Sequence, residues 1–274
     1  MMTLELRRKL SIVIAGISVL ALVPATRVFA NVSISPGYVE VRLDKGRPAG
    51  RFMITNLGKA PARFRVNAVH FVYTRKGGLR QSVTGKHSLA EWVHFNPKEL
   101  VIAPRTKRAV RFTIVPRGKL QEGEYWGAME LESLDKMEAT GTAEGGRGVR
   151  LKMVATIMVP IFGTVGKPEY SGEIEEVGLV PDPEGGVRLV TAVNNTGTGR
   201  LGAKGHFEII NSAGEVVEKG DIGNAYVLRG AAREFSRRIE ADLPAGRYKI
   251  RVRYKAVHLS KPLVRELTVD WKPP

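Results

Sequence analysis

The chain has 274 residues, no cysteine, and 43 lysines and arginines against 27 aspartates and glutamates, a formal net charge of +16. This length allows about two domains. Without cysteine, the protein has no disulfide, no thiolate metal site, no cysteine nucleophile and no lipid anchor on cysteine. The positive charge favours acidic partners such as anionic lipid head groups, cell-wall polymers and acidic proteins.

The first 30 residues have the three parts of a secretory signal peptide. Arg7, Arg8 and Lys9 form the positive start, residues 10–23 the apolar centre, and residues 28–30 a small-residue cleavage pattern. An uncleaved anchor is the alternative, but the apolar run is shorter than the ~20 residues that a membrane span needs. We therefore predict an exported protein in the periplasm, with no integral membrane segment once the signal is removed. Export also argues against nucleic acid as its partner.

After residue 30 helix signals are almost absent, and short β-rich runs alternate with turn residues. The first runs cover 32–34, 38–43, 50–56, 62–73, 92–95, 99–102, 109–115, 124–131 and 149–165. So many strands in about 135 residues are typical of a sandwich of immunoglobulin type. Residues 133–148 show no periodicity, and a loop of this length is often functional or disordered.

A second set of β-rich runs follows Gly166, Lys167 and Pro168, which predict a linker. These runs cover 173–179, 187–194, 205–210, 215–219, 225–228, 233–239, 248–254 and 263–271. The fold class that follows is all-β, with two immunoglobulin-like β-sandwich domains in tandem after the signal peptide. Its predicted parts are a signal peptide at 1–30, an N-terminal domain at 31–166 and a C-terminal domain at 167–274.

The two sets of strands share three sequence matches in the same order along the chain. The pairs are 120–125 with 243–248, 56–58 with 195–197, and Ile102 and Arg108 with Val227 and Arg233. Three ordered matches indicate two copies of one sandwich topology. The first pair reads Leu-x-x-Gly-x-Tyr, which predicts a tyrosine corner at Tyr125 and at Tyr248.

No constellation of catalytic or metal-binding residues stands out in the sequence. Residues 197–202 match G-x-G-x-x-G, but a strand pattern follows where a dinucleotide site needs a helix, so we predict a loop. The five histidines lack the spacing of a zinc site, and no Gly-x-Ser-x-Gly elbow occurs. A Ser-His-Asp triad assembled by the fold stays open, but we favour a protein that is no enzyme and has no cofactor or metal. Tyr125 and Trp126 face opposite sides of one strand, which makes one ring a candidate for exposure, but a Trp packed in the core is the interpretation we favour.

Alternation is strongest at residues 149–161, where every odd position is apolar. These positions are Val149, Leu151, Met153, Ala155, Ile157, Val159 and Ile161. Period two over this length predicts a strand well beyond the usual size of about 5–6 residues. The other face begins polar at Arg150 and Lys152 and becomes apolar at Val154 and Met158. We therefore expect cover on both faces, one of them from a partner.

In these features the chain resembles the periplasmic chaperones of pilus and fimbrial assembly, the PapD-like family. The residues that carry the resemblance lie within 31–166 and are the opening strand at 32–41, then 52–56, 92–97, Pro104 ahead of 111–113, and the strand at 149–161. The resemblance implies two immunoglobulin-like domains set at an angle and a mobile loop before the last strand of the first domain. It also implies a pilus or surface-structure subunit as partner, together with an outer-membrane usher.

Strand donation is the mechanism that the resemblance implies, because main-chain hydrogen bonds and alternate side-chain pockets bind a subunit that lacks a strand. The residues that would fill the pockets are Val149, Leu151, Met153, Ala155 and Ile157. The same residues can instead close the core of their own domain. The alternative function is a non-catalytic envelope module whose basic surface holds an anionic wall or surface polymer.

The sequence departs from the family at the anchor for the terminal carboxylate of the subunit. The family uses an arginine on the first strand and a lysine on the last strand. Here the corresponding segments are 36–39, Pro-Gly-Tyr-Val, and 158–160, Met-Val-Pro. The candidates for a replacement anchor are Arg42, Arg150 and Lys152.

Overall fold

The computed structural model describes residues 32–82, 85–135, 137–142 and 148–273, with side chains described outside 137–142 and 148–152. The signal peptide predicted at 1–30 lies outside the described residues. Every regular element in the described part of the chain is a β-strand, which confirms the all-β prediction. No helix of this part has the length and hydrophobicity of a membrane span.

The first sandwich is built from two sheets that pack face to face. The strands up to residue 165 are β1 (Val32–Ser35), β2 (Val39–Arg42), β3 (Ala49–Asn56), β4 (Ala62–Tyr73), β5 (Leu79–Ser82), β6 (Val93–Asn96), β7 (Glu99–Ile102), β8 (Lys107–Ile114), β9 (Gly123–Ser133), β10 (Met137–Thr142), β11 (Gly148–Met153) and β12 (Thr156–Val165). One sheet has the order β1-β3-β8-β6, and the other has the order β2-β12-β9-β4-β5, with β7 beside β4. In β8, Val110, Phe112 and Ile114 are buried at alternate positions, so period two directs them into the core between the sheets.

The second sandwich has its own core. Its strands are β13 (Gly172–Pro181), β14 (Val187–Asn195), β15 (Leu201–Ile210), β16 (Val216–Val227), β17 (Ala232–Ile239), β18 (Gly246–Lys255) and β19 (Leu263–Trp271). The sheets have the orders β13-β14-β17 and β16-β15-β18-β19, an arrangement of the immunoglobulin-like type. Phe207, Ile250 and Tyr254 are fully buried between them. The predicted fold class of two immunoglobulin-like sandwiches is confirmed.

The internal repeat of the sequence corresponds to the same hydrogen bonds in both sandwiches. Asn56 donates from Nδ2 to the carbonyl oxygen of Ile102 at 3.0 Å, and Asn195 donates likewise to Val227 at 2.9 Å. Each asparagine also accepts at Oδ1 a hydrogen bond from the peptide N–H two residues further on. Both side chains are buried, so these bonds satisfy polar groups that water does not reach.

The Leu-x-x-Gly-x-Tyr element is a tyrosine corner in both sandwiches, as the sequence predicts. The hydroxyl of Tyr125 donates to the carbonyl oxygen of Gln121 at 3.2 Å and accepts from its N–H at 3.0 Å. The hydroxyl of Tyr248 donates to the carbonyl oxygen of Pro244 at 3.0 Å. Proline has no N–H to give, so the second corner has one hydrogen bond fewer than the first.

Removing the first corner is expected to cost more stability than removing the second. Tyr125→Phe should lower the free energy of unfolding by about 1–3 kcal/mol, because it deletes two hydrogen bonds at about 0.5–1.5 kcal/mol each. Tyr248→Phe, the matched control, deletes one and should cost about half as much. Urea unfolding of the two variants measures the difference. Equal costs, or a larger cost for Tyr248→Phe, would contradict the hydrogen-bond count.

The strand predicted at 149–165 is interrupted, and this prediction was wrong. Val154 and Ala155 lie outside any strand, so β11 and β12 are separate elements in different sheets. β10 occupies part of the predicted loop at 133–148 and pairs with β11 from Met137 opposite Met153 to Thr142 opposite Gly148. The alternating pattern continues through the interruption, because β11 and β12 are both strands, and so it does not mark the break.

The runs predicted separately at 215–219 and 225–228 form one strand, β16. The glycines of this segment weaken its strand pattern, yet it pairs with β15 from Val216 to Val227. The pairing of β15 with β16 contains two register shifts, one of them between Gly205 and His206. Asp221 therefore stands in the middle of a strand.

Candidate functional site

The outer face of the second sheet in the first sandwich is covered by the second sandwich. Phe71, Trp126 and Phe162 project from this sheet and form one buried cluster with Leu228 of the second sandwich. Trp126 is also held by its Nε1, which donates to the carbonyl oxygen of Phe71 at 2.8 Å. Both Tyr125 and Trp126 are buried, so the favoured core position of Trp126 is confirmed and neither ring is exposed. The second sandwich covers Trp126, and this apolar contact joins the two sandwiches.

An ion-pair network crosses the same junction, with a buried Arg200–Glu124 pair and a Glu40 side chain that is 57% exposed. Arg200, between β14 and β15, contacts Glu124 of β9 and Glu40 of β2 through its guanidinium group, and its backbone N–H donates to Oε2 of Glu124 at 3.0 Å. The guanidinium carbon lies 3.7 Å from the ring centroid of Phe162. The Arg200 side chain is 12% exposed and that of Glu124 is 4% exposed. The Arg200–Glu124 pair therefore links the two sandwiches at a site that is largely shielded from water.

The pKa of Glu124 is raised above its ordinary value of 4.5 because burial disfavours the charged form. The charge of Arg200 and its hydrogen bonds act in the opposite direction and lower this pKa. Arg200 is thus the group that keeps a buried carboxylate in place. Taking Arg200 away would leave a charge without compensation, which is expensive in a protein interior.

The edge of β12 is open along its first half. β12 pairs with β9 over its whole length, from Thr156 opposite Glu132 to Val165 opposite Gly123, but β2 accompanies only Ile161–Thr164 on the other side. Among the described residues, no strand lies beside the outer edge from Thr156 to Pro160. An open edge presents unpaired main-chain groups that can bind a further strand.

The hydrogen-bond pattern shows which main-chain groups this edge presents. The N–H of Ser133 donates to the carbonyl oxygen of Ala155, and hydrogen-bonded pairs alternate along an antiparallel ladder. Odd-numbered residues of β12 therefore bond to β9, and Thr156 and Met158 direct their N–H and C=O groups to the open edge. Pro160 occupies the next outward position, where a missing N–H leaves the ladder with β9 intact.

β10 and β11 extend β9 and β12 beyond the sandwich. They form a two-stranded sheet that has no third strand among the described residues. A two-stranded hairpin is at best marginally stable by itself in water. The hairpin therefore gains stability from any strand that pairs with it, and it leads directly into the open edge of β12.

The predicted donor residues do not lie on one element. Val149, Leu151 and Met153 belong to β11, Ala155 lies between the strands, and Ile157 belongs to β12. Ile157 is partly buried and packs against the core of the first sandwich, so this residue closes its own domain. Of the predicted donor segment, β11 is the part that remains available for a partner.

The three candidate anchor residues are not brought together. Arg42 of β2 stands opposite Thr164 near the end of β12, whereas Arg150 and Lys152 lie on the hairpin, opposite Thr140 and Glu138. Arg42 donates from Nε to Oδ1 of Asp44 at 3.0 Å and from Nη1 to the carbonyl oxygen of Gly166 at 2.7 Å.

The Arg42 side chain therefore already has hydrogen-bond partners at the end of the first sandwich. Its hydrogen bonds to Asp44 lower the pKa of that carboxyl group below the ordinary value. The function of an anchor stays a prediction for all three residues.

Sequence reasoning missed Arg200, Glu124 and Phe162. Arg200 falls inside the glycine-rich motif at 197–202, which drew attention to its glycines. Glu124 lies at the start of a strand, where a charged residue is commonly exposed to solvent. Phe162 lies on the same even-numbered face of β12 as Met158, and the apolar character of that face was the available signal.

Two of three comparisons with known proteins return no match. No protein-family model matches the chain, and no curated protein matches it. Solved structures do match, at low sequence identity, and many of them are fimbrial chaperones.

One such structure is the YadV chaperone, with 9% identity and a TM-score of 0.48, covering 87% of this chain and 100% of that one. A second is the complex of the CsuC chaperone with the tip subunit CsuE from the archaic chaperone–usher Csu pili of Acinetobacter baumannii, with 14% identity and a TM-score of 0.44, covering 86% and 97%. A third is the SafB chaperone of Salmonella enterica with the SafA pilin, with 10% identity and a TM-score of 0.45, covering 86% and 96%. The likeness concerns the arrangement of strands.

Proposed function

We propose that this protein is a periplasmic chaperone that binds and caps pilus, fimbrial or other surface-assembly subunits by donating a strand. The observation that carries the proposal is the open edge of β12 from Thr156 to Pro160, continuous with the β10–β11 hairpin. A strand from a subunit can pair with this edge and extend the sheet, a mode of recognition known as β-augmentation.

The chemistry of the edge supports binding rather than catalysis. Its outward groups are main-chain N–H and C=O groups, which recognise an extended backbone of almost any sequence. Selectivity then comes from side chains, for which Val149, Leu151 and Met153 on β11 are the proposed contacts. The predicted signal peptide supports export to the periplasm, and the proposed protein acts without cofactor or metal. An outer-membrane usher is the further partner that this function requires.

Closing the open edge at one position tests the proposal. Thr156→Pro removes an outward N–H and places a ring at the edge, while the first residue of a strand tolerates proline. We expect this variant to lose about tenfold in affinity for the subunit, the effect of one main-chain hydrogen bond at the upper end of about 0.5–1.5 kcal/mol. Thr156→Val, which keeps the N–H and the β-branched shape, is the matched control and should bind as the wild type does.

The experiment is a pull-down by the mature protein from its native envelope extract, followed by titration with the captured subunit. Leu151→Glu/Met153→Glu serves as a second variant, chosen on β11 because charging Ile157 would disturb the core. We expect a small β-rich subunit with the wild type and with Thr156→Val, and its loss with the two edge variants. Capture of the same partners by all four proteins, each confirmed as folded, would refute strand donation.

A further inference from the structure

The outward face of β18 is a row of positive side chains. Burial alternates strictly along this strand, with Tyr248, Ile250, Val252 and Tyr254 directed into the core. The outward positions are Arg247, Lys249, Arg251, Arg253 and Lys255. We refer to these five residues as the β18 row. Successive members are separated by two residues of a strand, which is about 6.6 Å.

Acidic neighbours balance only part of the β18 row. Arg247 pairs with Asp270 at 3.0 Å, and Arg251 pairs with Glu266 at 2.5 Å and with Glu208 at 2.9 Å. The other three members, Lys249, Arg253 and Lys255, form no ion pair with any residue that the structure describes. The end of the row at Lys255 therefore carries positive charge without a counter-charge of its own.

Two lysines face each other at this end. Lys204 of β15 stands directly opposite Lys255 in the ladder, and both are exposed on the outward face. Like charges in this position destabilise a sheet. Lys204 has an acidic neighbour in Asp221, whose Oδ2 lies 3.7 Å from its Nζ, but Asp221 also contacts His206. A bound anion between the two lysines would relieve this repulsion.

The same two lysines line a cleft at the junction of the sandwiches, with a volume of about 740 Å³. Tyr73 of the first sandwich forms one wall, and Arg233 lies over its ring at 4.7 Å from the centroid. Tyr226 lines the cleft as well. Lys255 also lines a second groove, of about 300 Å³, together with Arg251, Arg253, His206 and Glu208, and Glu208 is paired with Arg251. Positive charge thus continues from the cleft along the β18 row.

We infer that the cleft and the β18 row together bind an acidic segment of a protein in extended conformation. Alternate side chains of an extended peptide recur at the same spacing as the members of the row, so its acidic residues can meet the members that form no ion pair, Lys249, Arg253 and Lys255. A flat membrane does not enter a concave cleft between two sandwiches, whereas a single extended chain does. Asn224 and Tyr226 in the cleft offer hydrogen-bonding groups to a peptide backbone. This binding does not require the open edge of β12.

A labelled peptide of about twelve residues that alternates Glu and Thr tests the inference by fluorescence anisotropy at low ionic strength. The full mature protein should bind it, and Lys204→Gln/Lys255→Gln should lose about tenfold or more in affinity, as expected when close charge pairs are removed. Lys59→Gln/Lys107→Gln, two exposed lysines of the first sandwich, removes the same charge and should leave the affinity nearly unchanged. A Gln-Thr peptide of the same length should not bind.

Three outcomes overturn the inference. Equal losses in the two double variants would mean that overall charge, and not this site, attracts the peptide. Tighter binding of polyphosphate of matched charge, lost only in Lys204→Gln/Lys255→Gln, would assign the site to a polymer. Binding to anionic phosphatidylglycerol vesicles with the same dependence on these lysines would assign it to a membrane. Since Thr156→Pro leaves the site untouched, failure here is distinguishable from failure of strand donation.

Discussion

Arg200→Ala is expected to lower the free energy of unfolding by about 3–5 kcal/mol at pH 7, the cost of breaking a buried ion pair on one side. The variant leaves Glu124, whose side chain is 4% exposed, without its guanidinium partner. It also removes the group that lies against the ring of Phe162 at 3.7 Å. Urea unfolding of wild type and variant measures the loss.

A second substitution identifies the buried charge as the cause. Glu124→Gln in the Arg200→Ala background removes the uncompensated carboxylate, so the double variant should be more stable than Arg200→Ala alone. Arg247→Ala breaks the pair with Asp270, in which both side chains are 70% exposed, and should cost within about 1 kcal/mol. If Arg200→Ala costs no more than Arg247→Ala, the network does not hold the two sandwiches.

The loss in Arg200→Ala should also depend on pH. Burial already raises the pKa of folded Glu124 above the ordinary 4.5, and removing Arg200 deletes the contributions that lower it. Between 4.5 and this raised pKa the folded variant binds more protons than the unfolded chain, so its stability falls as pH rises. The difference from wild type should therefore shrink as pH is lowered from 7 towards 4.5. A difference independent of pH would contradict this assignment.

The sequence predicted the fold well where local pattern and core packing agree. Alternation placed the inward residues of β8 and β18, and the repeated Asn56 and Asn195 indicated two copies of one topology. The same pattern failed at Val154 and Ala155, because period two is equally satisfied by one long strand and by two strands in different sheets. Which of these two arrangements forms depends on the strands that pair with the segment, and the local sequence does not show which strands those are.

The junction between the sandwiches was beyond the sequence for a related reason. Arg200 and Glu124 are 76 positions apart, and neither stands in a motif that announces the other. Trp126 was recognised as a strand residue, but its cover comes from Leu228 of the other sandwich. Pairing across a junction depends on how two finished sandwiches meet, which becomes visible only in three dimensions.

Phe162→Ala is expected to lower the free energy of unfolding by about 3–5 kcal/mol, the cost of deleting a buried aromatic ring, and to loosen the junction. Phe162 is fully buried, and its ring lies 5.8 Å from that of Tyr226 between centroids. Because its neighbours belong to both sandwiches, its removal should increase hydrogen exchange in residues 225–232 of the second sandwich. Such an increase would show that the contact between the two sandwiches opens, in addition to any loss of stability in the first core.

Phe52→Ala separates these two effects. Phe52 is equally buried, but it packs inside the first sandwich against Phe95 and Phe112, with centroid distances of 6.5 and 5.4 Å. Both variants lose a phenyl ring, so Phe52→Ala should lower the free energy of unfolding by an amount in the same range of about 3–5 kcal/mol. Exchange in residues 225–232 should then stay close to that of the wild type. Equal exchange in both variants would mean that the second sandwich responds to the stability of the first core, and that Phe162 is not a specific link between them.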